Sequence, residues 1–335
     1  MLNDILSIDI GSRNIKMVVG NKKPDKLIIK KASIIKTPNE SFSDGNILDI
    51  KSISDVIKSE IVNQNIKVRK AICTFQSTSV ISRELYLPIV SQKELQKMIN
   101  FEIEQYLPIQ LDEYVIEHKI LQKLIQDNIY KYRIWICAVP KSIAKKYFEL
   151  LNELNLDPIA LDINSNAISK LYKESEYKSQ TIAVIDMGYT FLNVKIISKG
   201  VSQFSRLING GGRDIDSSIS NILDINLSES EKKKTQYSII DDNLLVHQAI
   251  IPCVENWVED IKRVFKYYTS RDRENSIDTV FLHGGSSNIS EISNYISTSL
   301  NIPTYTVDKI DGIITKVKNI DTKLYLNCIG ALIRN

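Results

Sequence analysis

Along this chain, short apolar runs alternate with polar turns, and two of the resulting blocks share one layout. The first reads Leu6-Ser7-Ile8-Asp9-Ile10-Gly11-Ser12-Arg13-Asn14-Ile15-Lys16-Met17-Val18-Val19. The second reads Ile182-Ala183-Val184-Ile185-Asp186-Met187-Gly188-Tyr189-Thr190-Phe191-Leu192-Asn193-Val194-Lys195-Ile196. Each is an apolar run closing on Asp-x-Gly, then a polar turn, then a second apolar run. The pattern predicts a tight β-hairpin whose glycine lets backbone approach a ligand. Successive N–H groups in such a turn form a nest for anions, and an aspartate at the strand end can hold a hydrated Mg²⁺. A single Asp-x-Gly is an ordinary turn. Two copies facing across a cleft would clamp the phosphates of a nucleotide from both sides.

A third block strengthens that reading. Thr279-Val280-Phe281-Leu282-His283-Gly284-Gly285-Ser286-Ser287 is a strand running into a double glycine, and the segment Asn288 to Leu300 places Ile289, Ile292, Ile296 and Leu300 on one helical face. Such a turn lets main chain lie flat against a planar base beside a helix N-terminus.

Between the two hairpins, Ala71 to Thr74 and Val80 to Pro88 read as strands. Ser91 and Glu94 form a capping box, opening a helix with Leu95, Ile99, Ile103 and Tyr106 on one stripe before Pro108 ends it. Strands at Tyr114–Leu121 and Tyr132–Pro140 and a helix at Lys141–Leu154 complete a small β-α-β-β-α insert. Later, Cys253 to Arg271 carries Val254, Trp257, Val258, Ile261, Val264, Phe265 and Tyr268 on one face, a core helix without chemistry.

With 335 residues, the chain is long enough for two cores. Hydrophobic residues make up 43% and charged residues 25%, which excludes a disordered chain, while a net charge of +3 favours no particular partner. Cys73, Cys137, Cys253 and Cys328 lie far apart in apolar runs and are expected to be free thiols in a reducing compartment. No apolar stretch reaches membrane-spanning length, and Asn3-Asp4 leads straight into the first strand, so a soluble cytoplasmic protein is expected.

These residues carry a family resemblance. Asp9, Gly11, Ser12 and Lys16 resemble the phosphate-1 motif of the actin/Hsp70/hexokinase ATPases, Asp186 and Gly188 the phosphate-2 motif, and Leu282 to Ser286 the adenosine motif. The stretch from Asn209 to Asp216 is similar to the Gly-Gly-x-Asp segment of Hsp70-like members, and Glu231 with Lys234 resembles the Glu-x-x-Lys pair that contacts the nucleoside in the FtsA-like branch. The stretch from Phe101 to Ile109 looks like the E-x-x-Q-Y-[I/L]-P segment of the type IV pilus assembly PilM family. Leu85-Tyr86-Leu87-Pro88, Ala138-Val139-Pro140-Lys141 and Leu161-Asp162-Ile163 fit the same family.

The resemblance implies an α/β actin-like ATPase fold of duplicated ribonuclease-H-like domains, with an FtsA-type 1C subdomain in place of actin 1B. Domain I is expected over 1–165 with 1C about 82–157, and domain II over 166–335 with a 2B subdomain about 216–252. ATP and Mg are the implied cofactors. The implied nucleotide contacts are Asp9, Gly11, Ser12, Arg13, Lys16, Asp186, Gly188, Tyr189, Thr190, Gly211, Gly212, Glu231, Lys234, Gly284, Gly285 and Ser286, with Asp9 and Asp186 on the metal through water.

In that family the N-terminal cytoplasmic tail of the bitopic inner-membrane protein PilN sits in a groove between 1A and 1C, where Phe101, Gln105 and Tyr106 are expected to contribute. No nucleic-acid partner is implied, and self-association is left open. The alternatives are an FtsA-like division filament protein and a small-molecule kinase of the same fold. An FtsA would end in a linker and an amphipathic membrane helix, whereas Leu326 to Asn335 reads as the last core helix; membrane proximity is therefore expected through a partner. Neither an acid-base carboxylate nor a substrate loop for a kinase is found. Tyr189-Thr190-Phe191 replaces a glycine-rich turn, and the one positional candidate for activating water is Asp162, so binding is expected to dominate over hydrolysis.

Overall fold

The computed structural model describes residues 4–106, 110–126, 128–173 and 175–334. The chain opens as a meander of β1 (Ile5–Ile10), β2 (Asn14–Lys22) and β3 (Leu27–Lys36), followed by the short hairpin β4 (Phe42–Ser43) and β5 (Asn46–Ile47). Helix α1 (Ile50–Asn63), started by Asp49 accepting from the Ser52 amide, leads to β6 (Lys70–Phe75). Next come β7 (Ile81–Pro88), α2 (Gln92–Tyr106), β8 (Tyr114–Gln126) and β9 (Ile129–Pro140). Helix α3 (Lys141–Glu153), β10 (Asp157–Ile163) and α4 (Asn164–Tyr172) finish the first half.

The second half repeats the scheme. A meander of β11 (Thr181–Met187), β12 (Phe191–Ser198) and β13 (Val201–Asn209) precedes α5 (Gly212–Leu223), α6 (Leu227–Lys234) and α7 (Ile251–Thr269). Then follow β14 (Thr279–His283), α8 (Ile292–Leu300), β15 (Thr304–Thr306), β16 (Ile313–Thr315) and α9 (Leu326–Ala331).

Strand order exposes the duplication. One sheet runs β10-β6-β1-β2-β3-β16 and the other β13-β12-β11-β14-β15. Reading outward from β1 or β11, each has an antiparallel meander on one side and two parallel strands on the other. The central strands β1 and β11 are covered on both faces, which their near-continuous apolar runs require.

Helices α1 and α3 cover the first sheet, while α5, α7 and α8 share a core with the second. Helices α4 and α9 cross in a third core holding side chains from both sheets. At that crossing, a Cβ on Gly330 would lie 2.2 Å from the Ala167 carbonyl oxygen, so glycine sets how closely the helices pack.

Two expected boundaries change. The insert is a three-stranded sheet ordered β7-β9-β8 with α2 on one face, its core made by Leu87, Leu95, Ile99, Ile103, Ile134 and Ile136. The expected Ser91–Glu94 capping box closes at the start of α2. Helix α3 lies outside this unit, because Ile143, Tyr147, Leu150 and Leu151 are buried with Leu6, Ile8, Ile53 and Ile57 beneath the first sheet. The insert thus ends at Pro140 rather than near 157. The division at 165/166 is also crossed, since β16 joins the first sheet beside β3 and α9 packs on α4. Residues 216–252 have no core of their own: Ile219, Ile239, Val246 and Ile250 are buried with the second sheet.

Candidate functional site: a cleft between facing hairpins

The two Asp-x-Gly turns close with the same bond. The Gly11 amide donates to the Asn14 carbonyl at 3.1 Å, and the Gly188 amide to the Phe191 carbonyl at 3.0 Å. Their tips meet, with Ser12 Oγ 2.8 Å from Thr190 Oγ1. Behind them, Asp9 and Asp186 stand at matching ends of β1 and β11. The Asn327 amide on α9 donates to both, at 3.2 Å to Asp9 Oδ2 and 2.9 Å to Asp186 Oδ2.

Lys16, opposite Asp9 in the β1–β2 ladder, reaches Asp9 Oδ2 at 3.4 Å. Burial works against its ammonium, but Asp9 and Asp186 outweigh burial and raise its pKa. His283, buried at the end of β14, has its pKa lowered by burial despite Asp186 at 3.9 Å. Gly284 has φ +89°, and a Cβ there would strike Asp186 Oδ1 at 2.4 Å; one on Gly285 would point into open space.

A cavity of about 300 Å³ lies between the hairpins. Asp9, Gly11, Ser12, Arg13, Lys16, Asp186, Gly188, Tyr189, Thr190, Gly212, Glu231, Lys234, Gly285 and Ser286 all line it. Gly211 and Gly284 lie just behind. The Gly211 amide donates to Asp214 Oδ2 at 3.0 Å at the start of α5.

Several of these side chains are already engaged. Arg13 spans the cleft to Glu231, its Nε 3.1 Å from Oε1, and its guanidinium sits 5.4 Å from the centre of the Tyr189 ring. Glu231 is held down in pKa by that hydrogen bond against the effect of burial. Lys234 pairs with Asp216 at 2.6 Å and reaches the Gly212 carbonyl at 3.3 Å.

Asp162 is not in the cleft. Its Oδ1 accepts from the Ile163 amide at 2.9 Å and from Asn166 Nδ2 at 2.7 Å, while Lys170 holds Oδ2 at 2.7 Å. These donors lock it at the foot of α4, in a groove on the other side. It therefore does not face the space between the hairpins where a water at the phosphates would sit.

The groove, of about 720 Å³, runs between the insert sheet and the first sheet. Strand alternation explains it: Ile134 and Ile136 of β9 face α2, whereas Trp135, Cys137 and Val139 face the groove. Phe101 and Gln105 are exposed on α2, Phe101 by 61%, and neither lines the groove. The structure therefore separates them from the site they were expected to serve. The Tyr106 side chain and residues 107–109 lie outside the described residues.

The family model described as type IV pilus assembly protein PilM matches residues 7–332. The chain belongs to that family. Among solved structures, it is similar to the PilM-PilN type IV pilus biogenesis complex, with 18% identity over 98% of this chain and 97% of that one, at a TM-score of 0.85. It is similar to the ethanolamine utilization protein EutJ from Carboxydothermus hydrogenoformans, with 12% identity over 98% and 88% and a TM-score of 0.61. MreB 5 of Spiroplasma citri bound to AMPPNP is matched at 12% identity over 98% and 95%, with a TM-score of 0.55. At these identities the likeness establishes the actin-like ATPase fold.

In this PilM-family chain, three amides that sequence reading missed also line the cleft: Gln76, Asn164 and Asn327. Each has a buried carbonyl oxygen without a hydrogen-bond partner. Asn164 stands at the start of α4, two residues past Asp162. The apolar pattern around these positions gave no sign of them, because a single amide just after a strand (Gln76) or on a helix (Asn164, Asn327) carries no motif. Among the described residues, no helix is long and apolar enough to cross a membrane.

Proposed function

We propose that this chain is a nucleotide-binding scaffold of type IV pilus assembly, with Mg·ATP in the cleft and a membrane partner's tail in the groove. The observation that carries the nucleotide part is the pair of facing hairpins, closed by the same backbone bond, with Asp9 and Asp186 behind them. Their N–H nests suit phosphates, and the space over Gly285 suits a flat base.

The two aspartates fit a hydrated Mg²⁺. Among the described residues, no group of three or more His, Cys, Asp or Glu side chains could hold a bare ion, and water and phosphate oxygens would complete the shell of one held by Asp9 and Asp186. The bound metal supplies charge neutralisation at the phosphates. Lys16 adds a cation beside Asp9.

Hydrolysis is slow in this reading. Every carboxylate lining the cleft is engaged: Asp9 and Asp186 by Asn327, Glu231 by Arg13, and Asp44 by the Thr78 amide at 2.8 Å. Asn164 can orient a water but cannot take its proton.

The partner is the N-terminal cytoplasmic tail of a PilN-like bitopic protein, seated between the insert and the first sheet. The chain thereby stays peripheral on the cytoplasmic face of the inner membrane. The groove offers an apolar lane and strand edges to an extended peptide.

The test is affinity purification of the full chain from membranes, with titration calorimetry of Mg·ATP on the same preparation. Recovery of a bitopic protein held through its cytoplasmic tail, together with saturable ATP binding, is the expected result. Absence of either removes that half of the reading.

A further inference from the structure

At its inner end, the groove between insert and first sheet runs into a smaller cavity of about 120 Å³, where the insert meets the second sheet. The two spaces share Lys119, Trp135, Asn166, Lys170 and Lys173 as common lining, so they adjoin. The smaller cavity holds about four waters' worth of volume. It is lined by four lysines from two strands and the end of α4: Lys119 of β8, Lys170 and Lys173 on or just after α4, and Lys195 of β12.

Lys195 is 4% exposed, and its ammonium rests on the Ser202 hydroxyl. The nearby carboxylates are spoken for. Glu84 is taken at both oxygens by Arg133, which also reaches the Ser202 carbonyl at 3.4 Å, and Asp162 is taken by Lys170. Among the described residues, Lys119, Lys173 and Lys195 have no carboxylate within ion-pair distance. Glu117, also on β8, faces the wider groove and leaves the excess positive.

That excess shows in the lysines themselves. Burial pushes Lys195 down to about 8, with Arg133 and Lys119 adding to it against the pull of Glu84. Lys119, exposed at the surface but with part of its side chain desolvated, is lowered by that desolvation, then by Lys173 and Lys170. A buried, uncompensated cation is costly unless a counter-charge arrives.

We infer that this lysine-lined end is a seat for one carboxylate of the docked partner segment. The inference rests on the groove reading above. It makes the partner an extended segment whose apolar run is followed or preceded by an Asp or Glu. The apolar part lies along Cys137, Val139, Leu161 and Ile163, and the acid reaches the lysines.

The probe is a labelled synthetic peptide of the tail recovered with the full chain, and each of its acidic residues is changed in turn to the amide. Binding is measured on the full-length protein, on Lys119→Gln and Lys173→Gln at exposed positions, and on Ala144→Trp, which plugs the apolar lane. ATP binding serves as the folding control. The expected result is that one acid-to-amide change and either lysine change each weaken binding by about tenfold or more, and that together they weaken it no further. If Ala144→Trp abolishes binding while no amide or lysine change matters, the seat is wrong and the groove reading stands. Tail binding that is indifferent to Ala144→Trp overturns both. Inorganic phosphate that stabilises the protein through these lysines without competing with the tail assigns the site to a free anion and overturns the inference.

Discussion

Asn327 donates one amide to two carboxylates from opposite sheets, Asp9 at 3.2 Å and Asp186 at 2.9 Å. It links the two aspartates by hydrogen bonds, and it sits on α9, which packs in the core between the sheets. Asn327→Ala leaves the buried Asp9 carboxylate and the half-buried Asp186 carboxylate with one donor fewer. The expected cost is about 1–3 kcal/mol in urea unfolding without nucleotide. With saturating Mg·ATP the deficit shrinks, because a bound Mg²⁺ would supply the positive charge that the two carboxylates need. An equal deficit in both conditions means Asn327 is a packing residue only.

Asp9→Asn and Asp186→Asn each weaken ATP binding in Mg²⁺ by about 1–3 kcal/mol, the range for losing a charge-assisted hydrogen bond. In EDTA the difference from wild type narrows, which separates a metal role from a general loss of fold. Gly285→Glu folds normally, since a Cβ there meets nothing within 4 Å, yet the side chain fills the space meant for the base. Calorimetry on the three variants decides it, and unchanged affinity in all of them removes the cleft from the proposal.

Turnover falls below the range of about 1–10³ s⁻¹ usual for enzymes. Asp162→Asn leaves the residual rate unchanged, because Asp162 faces Lys170 in the groove. Asn164→Ala lowers it, as the amide lines the cleft with its carbonyl oxygen free. A single-turnover phosphate-release assay reads both. A large loss in Asp162→Asn alone, with ATP affinity intact, reverses this assignment.

The sequence carried the hairpins because apolar runs ending in Asp-x-Gly constrain both strand and turn. The same holds for α7, whose seven expected core positions are all buried. Chain-order reading failed where a residue's role depends on distant elements. Helix α3 has the amphipathic pattern of any helix, and only the first sheet's need for cover decides which core it joins. Asp162 and Asn164 are two residues apart, and the start of α4 sends one to the groove and the other to the cleft. Phe101 sits in the most family-like stretch, but its helix packs on the far face of the insert sheet. Asn327 lies 318 residues from Asp9, in a segment with no polar motif.

Lys195 makes stability depend on pH in an uncommon direction. Its folded pKa is pushed by burial down to about 8 from an ordinary 10.5, so both states carry the charge below pH 8 and the folded state bears the full penalty. As pH rises from about 8 to 10.5 the folded lysine loses its proton first, and its contribution improves by about 3 kcal/mol. Lys195→Met removes the penalty, so the variant is more stable than wild type at pH 7 and the gap closes toward pH 10. Urea melts of both proteins across that range show it. A gap that does not change with pH means the ammonium is compensated in the folded state.

Removal of the insert separates the two proposed sites. Ile81 of β7 lies opposite Ala138 of β9, so the ends of the insert leave its sheet side by side and a short Gly-Ser linker can join them. Excision of residues 81–138 keeps α3, whose Ile143, Tyr147, Leu150 and Leu151 the first sheet needs. A cut extending to 157 removes that helix and is expected to unfold domain I, which makes it unsuitable as a test. The shorter cut also exposes Lys195 by removing Arg133 and Glu84 from its surroundings, which relieves its burial. Every hairpin and adenosine-side residue lies outside the excised segment. The shortened protein should therefore bind ATP within about threefold of the full chain, a difference of under about 1 kcal/mol, and fail to retain the membrane partner. Partner recovery undiminished on a protein that still binds ATP places the docking surface elsewhere and removes the groove from the account.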